Sequence, residues 1–164
     1  MIQFLSFELG GELFAIDIVK IREVLDFTTV TRVPRTPAYM SGVINLRGGV
    51  VPVIDMRLKF GMTEMEKTVN TCIVIAEVNV GTESTVLGAM VDSVHEVFDL
   101  SSDEIEPAPR IGTRLKVDFL RGMGKKDNEL VLILDIDKVF SENEIMEISA
   151  TGAVGEREIE EVEA

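Results

Sequence analysis

The sequence predicts an all-β protein made of two small five-stranded β-barrels packed side by side, and three observations lead to this prediction. Apolar and β-branched residues are concentrated in short runs rather than in long helical repeats. Turn-forming residues separate these runs at intervals of about 8 to 12 residues. The order of runs and turns occurs twice, which indicates an internal duplication. Closing each sheet would remove the exposed edges of such short strands, and the seam between the barrels would form a groove.

The central stretch of the first half is GVINLRGGVVPVIDMRLKF, residues 42–60. Its two apolar runs flank Gly48-Gly49, which can adopt the positive φ angles of a two-residue turn, so the stretch predicts a buried β-hairpin with Arg47 at its tip. Pro52 cannot donate a ladder hydrogen bond. The second strand is therefore expected at a sheet edge, or with a bulge at Pro52.

The other elements are predicted from the same signals. Gly10-Gly11 predicts a hairpin between the runs 2–9 and 12–17, and residues 18–27 predict a single helical turn followed by a strand. Later segments predict a crossing loop with two prolines at residues 32–42 and a second hairpin at 71–92. Two further strand regions are predicted at 94–100 and 130–140, and a short C-terminal helix at 141–148. The helix is expected to begin at Ser141, since Glu144 stands three residues later at the spacing of a capping box.

Comparing the two halves gives the duplication its register. Four matches occur in the same order: EVLD (23–26) with EVFD (96–99), LRG (46–48) with LRG (120–122), VVPVIDM (50–56) with LVLILDI (130–136), and Phe60 with Phe140. The offset between the halves grows from 73 to 80 residues, which we attribute to a longer turn, MGKKDN, in the second hairpin. This alignment makes Arg121 the repeat equivalent of Arg47.

Composition restricts the class of protein. The chain has 164 residues, enough for one domain or for two small barrels that share surface, and its single cysteine, Cys72, is expected to be a core residue in a reducing compartment. The net charge is −13, and residues 141–164 contribute eight Glu against one Arg. No basic stripe is available for nucleic acid, and no run approaches the roughly 20 apolar residues of a membrane span. We therefore expect a soluble cytoplasmic protein that does not bind membranes directly.

The residue types that catalysis requires are scarce. His95 is the only histidine, without a neighbouring His or Cys for a zinc site, and its strand context predicts a partly exposed side chain. Asp55 and Asp135 occupy equivalent places, which is how a duplicated acid hydrolase assembles its dyad, but neither stands in the D-(T/S)-G loop of such enzymes. We interpret them as caps of the turns after their strands. No cofactor, metal or enzymatic activity is predicted, and a binding module remains.

Four segments carry a resemblance to a known family: FELGGELFAIDIVKIREVL, TPAYMSGVINLRGGVVPVIDMRLKFG, VDSVHEVFDL and LVLILDIDKVF. Together they resemble the CheW-like family of bacterial chemotaxis coupling proteins over residues 2–148. The resemblance implies two five-stranded barrels and a non-catalytic adaptor. Because the chain has no room for a phosphotransfer, ATPase or receiver domain, it implies the stand-alone adaptor.

The resemblance also implies two partners, the regulatory domain of the histidine kinase CheA and the cytoplasmic tip of a chemoreceptor. It assigns kinase binding to Leu5, Phe7, Ile18 and Ile21. It assigns the receptor groove to Glu23, Arg47, Gly88, Val94 and Val97. The adaptor would be monomeric alone and recruited to membrane-associated receptor arrays. An array adaptor that lacks kinase coupling is the alternative.

The predicted domain organisation is one CheW-like domain over residues 1–148, with two intertwined barrels and boundaries near 61–70 and 141–148. Residues 149–164 combine glycines with charge of one sign, so they predict an acidic flexible tail. Its deletion is expected to leave folding and kinase binding intact.

Overall fold

The computed structural model describes residues 1–107 and 117–149, so the predicted tail beyond residue 149 lies outside the described residues. The strands are β1 (Ile2–Leu9), β2 (Glu12–Asp17), β3 (Ile21–Asp26), β4 (Met40–Leu46), β5 (Gly49–Asp55), β6 (Cys72–Val80), β7 (Glu83–Val91), β8 (Ser93–Leu100), β9 (Leu120–Lys126) and β10 (Glu129–Leu134). The helices are α1 (Met56–Lys59), α2 (Ile136–Val139) and α3 (residues 142–149), and short 3-10 turns cover Ile18–Lys20, Ser102–Glu104 and Val117–Phe119.

The strands form two five-stranded curled sheets, which confirms the predicted fold class. Barrel 1 has the strand order β8-β1-β2-β10-β9, and barrel 2 has the order β3-β6-β7-β5-β4. Strands β1–β5 belong to the first half of the duplication and β6–β10 to the second. Exchanging each strand for its counterpart in the other half converts one order into the other, so the duplication is present in the topology itself.

Each barrel is shared between the two halves of the chain. Barrel 1 takes the β1–β2 hairpin from the first half and β8, β9 and β10 from the second. Barrel 2 takes β3, β4 and β5 from the first half and the β6–β7 hairpin from the second. Neither half therefore contains a complete sheet, and the chain passes from one half to the other through residues 61–71.

Isolated bridges bring the edges of each sheet together. Thr31, in the chain after β3, exchanges backbone hydrogen bonds of 2.9 and 2.8 Å with Val43 of β4. Glu106 and Met123 make the equivalent bridge in barrel 1, at 2.8 and 2.7 Å. A Cβ at Gly42 would lie 2.1 Å from the Thr31 carbonyl oxygen, so only glycine permits this approach.

The strand register corrects the predicted repeat alignment. In β4–β5, Leu46 pairs with Gly49, so the two-residue turn is Arg47-Gly48 and not Gly48-Gly49. In β9–β10, Lys126 pairs with Glu129, so the turn is Asp127-Asn128 and is no longer than the first. The offset is therefore 80 throughout both hairpins, and the equivalent of Arg47 is Asp127. Arg121 lies within β9, because the buried alternation of a strand fixes its register more strongly than a three-letter match.

Pro52 does not mark an edge strand, because β5 lies between β7 and β4. Val43, its partner across β4, uses its backbone N–H and C=O to bond Thr31 on the other side. Val43 and Pro52 are thus a non-hydrogen-bonded pair, and the parallel ladder with β7 begins only at Val53. The missing proline N–H removes no hydrogen bond from either ladder.

The predicted caps are confirmed. Asp55 begins α1 by accepting hydrogen bonds from the N–H groups of Arg57 and Leu58, and Asp135 begins α2 by accepting one from Asp137. Ser141 and Glu144 form the reciprocal capping box at the start of α3, since each side chain accepts a hydrogen bond from the other residue's backbone N–H.

Candidate functional site

The most prominent polar feature at the tip of the β4–β5 hairpin is the ion pair between Arg47 and Glu23. The guanidinium donates two hydrogen bonds to the two carboxylate oxygens of Glu23, with Nη2 at 3.0 Å from Oε1. This bidentate arrangement is the strong form of an arginine–carboxylate contact, and the bonds and charge of Glu23 raise the pKa of Arg47. The Arg47 side chain remains 74% exposed, whereas Glu23 is 24% exposed.

The backbone of Arg47 shows that its side chain is not there for the turn. Its φ is 51°, in the left-handed region, and Gly48 follows at 83°. Such type I′ positions favour Asn, Asp and Gly, and the equivalent turn in barrel 1 does use Asp127-Asn128. An arginine in this conformation costs about 1 kcal/mol. The fold explains why a turn forms here, but it does not explain why the residue is an arginine. A contact of the arginine side chain must explain that.

A β-bulge positions the partner of Arg47. In the β3–β6 ladder, Ile21 pairs with Ala76 and Glu23 pairs with Ile75, so Arg22 is an extra residue. Glu23 follows this extra residue and lies on the less exposed side of β3, together with Ile21 and Leu25.

A similar ion pair links the edges of barrel 1. Lys126, at the end of β9, contacts the Glu96 carboxylate of β8. Glu96 lies in the bulge of β8, where Ser6 accepts a hydrogen bond from its N–H and donates one to its C=O. Each barrel therefore has a cation from one repeat-equivalent hairpin, β4–β5 or β9–β10, bound to a glutamate on an edge strand, β3 or β8. Part of the role of Arg47 is therefore structural, and Lys126 makes the corresponding edge contact in barrel 1.

The other predicted receptor residues are not gathered around this pair. Gly88 is buried inside barrel 2, where an added Cβ would lie 2.7 Å from Cγ2 of Ile73, so it serves packing. Val94 and Val97 lie on β8 of barrel 1. Val94 is partly buried beside the Cys72 thiol, whose pKa is raised by burial, and Val97 is 49% exposed. The structure thus brings together Glu23 and Arg47 and leaves an exposed valine on the neighbouring barrel.

The structure buries two of the four residues predicted for the kinase face. Leu5 and Phe7 are 5% and 0% exposed and belong to the core shared by the barrels, so they present no side chain at the surface. Both broad faces of β1 are covered, because the second barrel packs on the face that a single sheet would leave to solvent. Ile18 and Ile21 are partly buried against the same core, and their contact with a partner stays a prediction.

Sequence reasoning missed Val19. It lies in the 3-10 turn between β2 and β3 and is 80% exposed, unlike its neighbour Ile18. The signal was present as two adjacent β-branched residues, Ile18 and Val19, between Asp17 and Lys20 in a turn, where both side chains cannot face the core. An isolated exposed valine is unremarkable, but this one borders the strand that carries Glu23.

The described residues do not assemble catalytic machinery. Asp55 is 2% exposed, and both its oxygens accept backbone N–H groups, including that of Met65 at 2.9 Å. His95 contacts Ser93 and Glu8 at 3.3 Å each through the same Nε2 atom, so it cannot link a nucleophile to an orienting acid. Within residues 1–107 and 117–149, no group of three potential metal ligands is found. In the same ranges, no helix is long and apolar enough to cross a membrane.

Comparison with known proteins agrees with this geometry. The CheW-like domain family matches residues 3–144. The chain is 37% identical to the chemotaxis protein CheW of Klebsiella aerogenes over 143 residues, covering 87% of this chain and 84% of that protein. It is 34% identical to the probable chemotaxis protein CheW of Rhizobium etli over 142 residues, covering 87% and 89%.

A solved structure gives the same result in three dimensions. The crystal structure of the scaffolding protein TtCheW from Thermoanaerobacter tengcongensis superposes with a TM-score of 0.75 at 33% identity. The match covers 87% of this chain and 94% of that chain, so both barrels are included. The sheet order and these similarities lead to one conclusion: the chain belongs to the CheW-like domain family of non-catalytic chemotaxis scaffolds.

Proposed function

We propose that the chain is an adaptor that couples chemoreceptors to the histidine kinase CheA and is recruited with them to membrane-associated arrays. The observation that carries the proposal is the pairing of an exposed arginine in a costly turn conformation with Glu23, next to an exposed apolar turn at Val19. These are two chemically different surfaces, and each suits a different partner.

The receptor surface is assigned to Arg47, Glu23 and the exposed Val97. A chemoreceptor tip is a helical hairpin that offers carboxylates, amides and apolar side chains. The exposed guanidinium of Arg47 can donate further hydrogen bonds to a second planar group beside Glu23. Val97 supplies apolar area on the adjoining barrel. Gly88 and Val94 support this surface from beneath.

The kinase surface is assigned to the turn at Ile18–Lys20 and the start of β3, with Val19 as its exposed anchor and Ile18 and Ile21 as its base. Apolar anchors set in a polar surround account for most of the binding energy in protein interfaces. Leu5 and Phe7 hold the shape of this region from within the core.

Calorimetry with the purified regulatory domain of CheA, and co-sedimentation with receptor signalling fragments in the presence of full-length CheA, test the proposal. We expect the chain to bind the kinase domain alone and to raise kinase activity only when receptor is also present. Receptor binding without any affinity for the kinase domain would favour the alternative of an array adaptor that lacks kinase coupling. Binding of neither partner would reject both functions.

A further inference from the structure

Aromatic side chains meet where the two barrels join, and each half of the chain contributes the same two positions. Tyr39 and Phe60 of the first half correspond to Phe119 and Phe140 of the second, at the offset of 80 residues. The Tyr39 and Phe119 carbonyls accept equivalent hydrogen bonds after β5 and β10. Each ring pairs across the halves: Tyr39 with Phe140 at 6.4 Å between centroids, and Phe60 with Phe119 at 5.9 Å. The joint therefore lies on the axis that relates the barrels.

Lys59 breaks the symmetry of this joint. Its counterpart in the second half is Val139, a core residue at 1% exposure. The Lys59 side chain is only 10% exposed, and its Nζ lies over the rings of Tyr39, Phe119 and Phe140 at 5.3, 5.3 and 5.5 Å. Aromatic faces attract an ammonium group, but a charge this buried also needs an opposite charge.

Glu144 of α3 supplies the opposite charge. Its Oε2 lies 3.2 Å from the Lys59 Nζ, and its Oε1 accepts the backbone N–H of Ser141 at 2.9 Å. The Tyr39 hydroxyl donates to the same carboxylate. Burial, followed by the charge and hydrogen bond of Glu144, raises the pKa of Tyr39, so the phenol keeps its proton. One carboxylate thus caps its own helix and holds two groups of the joint.

Helix α3 connects the two barrels physically. It continues from β10 and α2 of barrel 1, yet it packs on barrel 2. A Cβ at Gly81, in the β6–β7 turn, would lie 2.5 Å from Oε1 of Glu142 at the start of α3. Ile145 and Ile148 are both 0% exposed within the shared core. The first half has no such helix, since residues 62–68 after Phe60 are irregular.

We propose that the Lys59–Glu144 ion pair fixes the orientation of barrel 1 relative to barrel 2, because α3 connects Glu144 to barrel 1. We call this ion pair the clasp. Breaking one side of a partly buried ion pair leaves an uncompensated charge among three rings, so arrangements in which α3 leaves the joint are strongly disfavoured. The proposed receptor surface includes Glu23 of barrel 2 and Val97 of barrel 1, so its shape depends on this orientation.

Nitroxide labels at Ser84 of barrel 2 and Lys125 of barrel 1 measure the orientation directly, by pulsed electron paramagnetic resonance in a Cys72→Ala background. Both label sites are exposed. We expect Glu144→Gln to broaden the distance distribution and to lower the Tm by about 5 °C or more. Adding Lys59→Met removes the unpaired charge, so the Tm should recover in the double variant while the distribution stays broad, because the clasp is still missing.

Lys138→Met provides the matched control, because the Lys138 side chain is 67% exposed and its ion pair is a weak surface contact. The Lys138 Nζ lies 4.0 Å from Oδ2 of Asp135. It should change neither the Tm nor the distance distribution. If Glu144→Gln lowers the Tm but leaves the distribution as narrow as in the parent, the pair only stabilises the fold and the clasp is rejected. Unchanged values of both quantities would also reject it.

Discussion

At the residue scale, folding alone does not explain the side chains of Arg47 and Val19. The turn that contains Arg47 would form at lower cost with Asn or Asp, as the equivalent turn in barrel 1 shows. Val19 leaves 80% of its surface in water although Ile18 and Ile21 on either side pack against the core. These two residues are therefore where substitution should separate function from stability.

Arg47→Asn should preserve the hairpin and impair receptor binding. The change creates an Asn-Gly turn, which suits both positive φ angles, so the free energy of unfolding should stay within about 1 kcal/mol of the parent. Loss of the guanidinium should lower the affinity for receptor fragments in the ternary assembly by more than about tenfold, equal to roughly 1.4 kcal/mol. Affinity for the isolated kinase domain should not change in calorimetry.

Lys126→Gln is the control for Arg47→Asn, because Lys126 makes the corresponding edge contact in barrel 1. It should reduce stability slightly and leave receptor binding intact. Equal loss of receptor binding in both variants would contradict a direct contact between Arg47 and the receptor. It would show that the Arg47 and Lys126 ion pairs affect binding only by stabilising the fold.

Val19→Glu should weaken binding to the kinase regulatory domain by more than about tenfold with an unchanged Tm, because the side chain is exposed and packs on little. Ile18→Glu should lower the Tm instead, since it places a carboxylate against the core. Val69→Glu is the matched control: Val69 is 100% exposed on the connection between the halves. Calorimetry that finds the same affinity for the Val19 and Val69 variants would remove Val19 from the interface.

At the scale of elements, the barrels are closed by backbone contacts that permit no side chain. The bridge from Thr31 to Val43 passes directly over Gly42, whose φ is 148°. At the equivalent glycine in barrel 1, Gly122, an added Cβ would lie 2.5 Å from the Glu106 carbonyl oxygen. Glycine at these positions is a requirement of closure in both barrels.

Gly42→Ala should destabilise the protein by about 3 kcal/mol or more, because the added methyl would meet the Thr31 carbonyl oxygen at 2.1 Å and neither backbone can move without opening the bridge. Gly49→Ala is the control in the same hairpin. Its Cβ would lie 3.5 Å from the nearest atom, the Leu46 oxygen, so the cost should be within about 0.5 kcal/mol. Equal urea midpoints for the two variants would contradict the assigned role of Gly42.

The capping of α3 predicts a pH dependence. Burial raises the pKa of Glu144, but the N–H of Ser141, the Lys59 ammonium and the Tyr39 hydroxyl together lower it below the ordinary 4.5. A lowered folded-state pKa stabilises the protein above the unfolded-state value, and this contribution is lost as the pH falls through the folded-state pKa. Urea unfolding across this acid range should show a shallower loss of stability for Glu144→Gln than for the parent. Parallel curves would contradict it.

At the scale of the whole molecule, the two barrels are one cooperative unit because the halves exchange strands. If either half is removed, one barrel loses two of its five strands and the other barrel loses three. The core that contains Phe7 and Phe14 of barrel 1 also contains Val53 and Ile75 of barrel 2. A folded single barrel is therefore not expected as an intermediate.

Cutting the chain within the connection should test this unity. Fragments 1–66 and 67–164, each alone, should lack a cooperative thermal transition, because neither holds a complete sheet. Mixed in equal amounts, they should form a 1:1 complex with the circular dichroism spectrum of the intact chain. Independent folding of either fragment would contradict the exchanged arrangement.

Several features were predictable from the residues alone: the strand-forming runs, the duplication, the caps at Asp55, Asp135 and Ser141, and the presence of Arg47 at a hairpin tip. These features depend on alternation, turn chemistry and capping, which act over a few residues and can be read from local pattern. The resemblance to a family added the partner assignments, which residue patterns did not contain.

Three features became known only from the folded chain: which half supplies which strand, where the repeat register lies, and which apolar residues are exposed. The resemblance assigned Leu5 and Phe7 to the kinase face, but the second barrel covers the face of β1 on which they lie. Nothing in the local sequence distinguishes Val19 or Lys59 from other valines and lysines. In the fold, Val19 is exposed to solvent and the Lys59 ammonium lies among three aromatic rings. Burial and partner choice depend on contacts between residues far apart in the chain, and such contacts have no local signature.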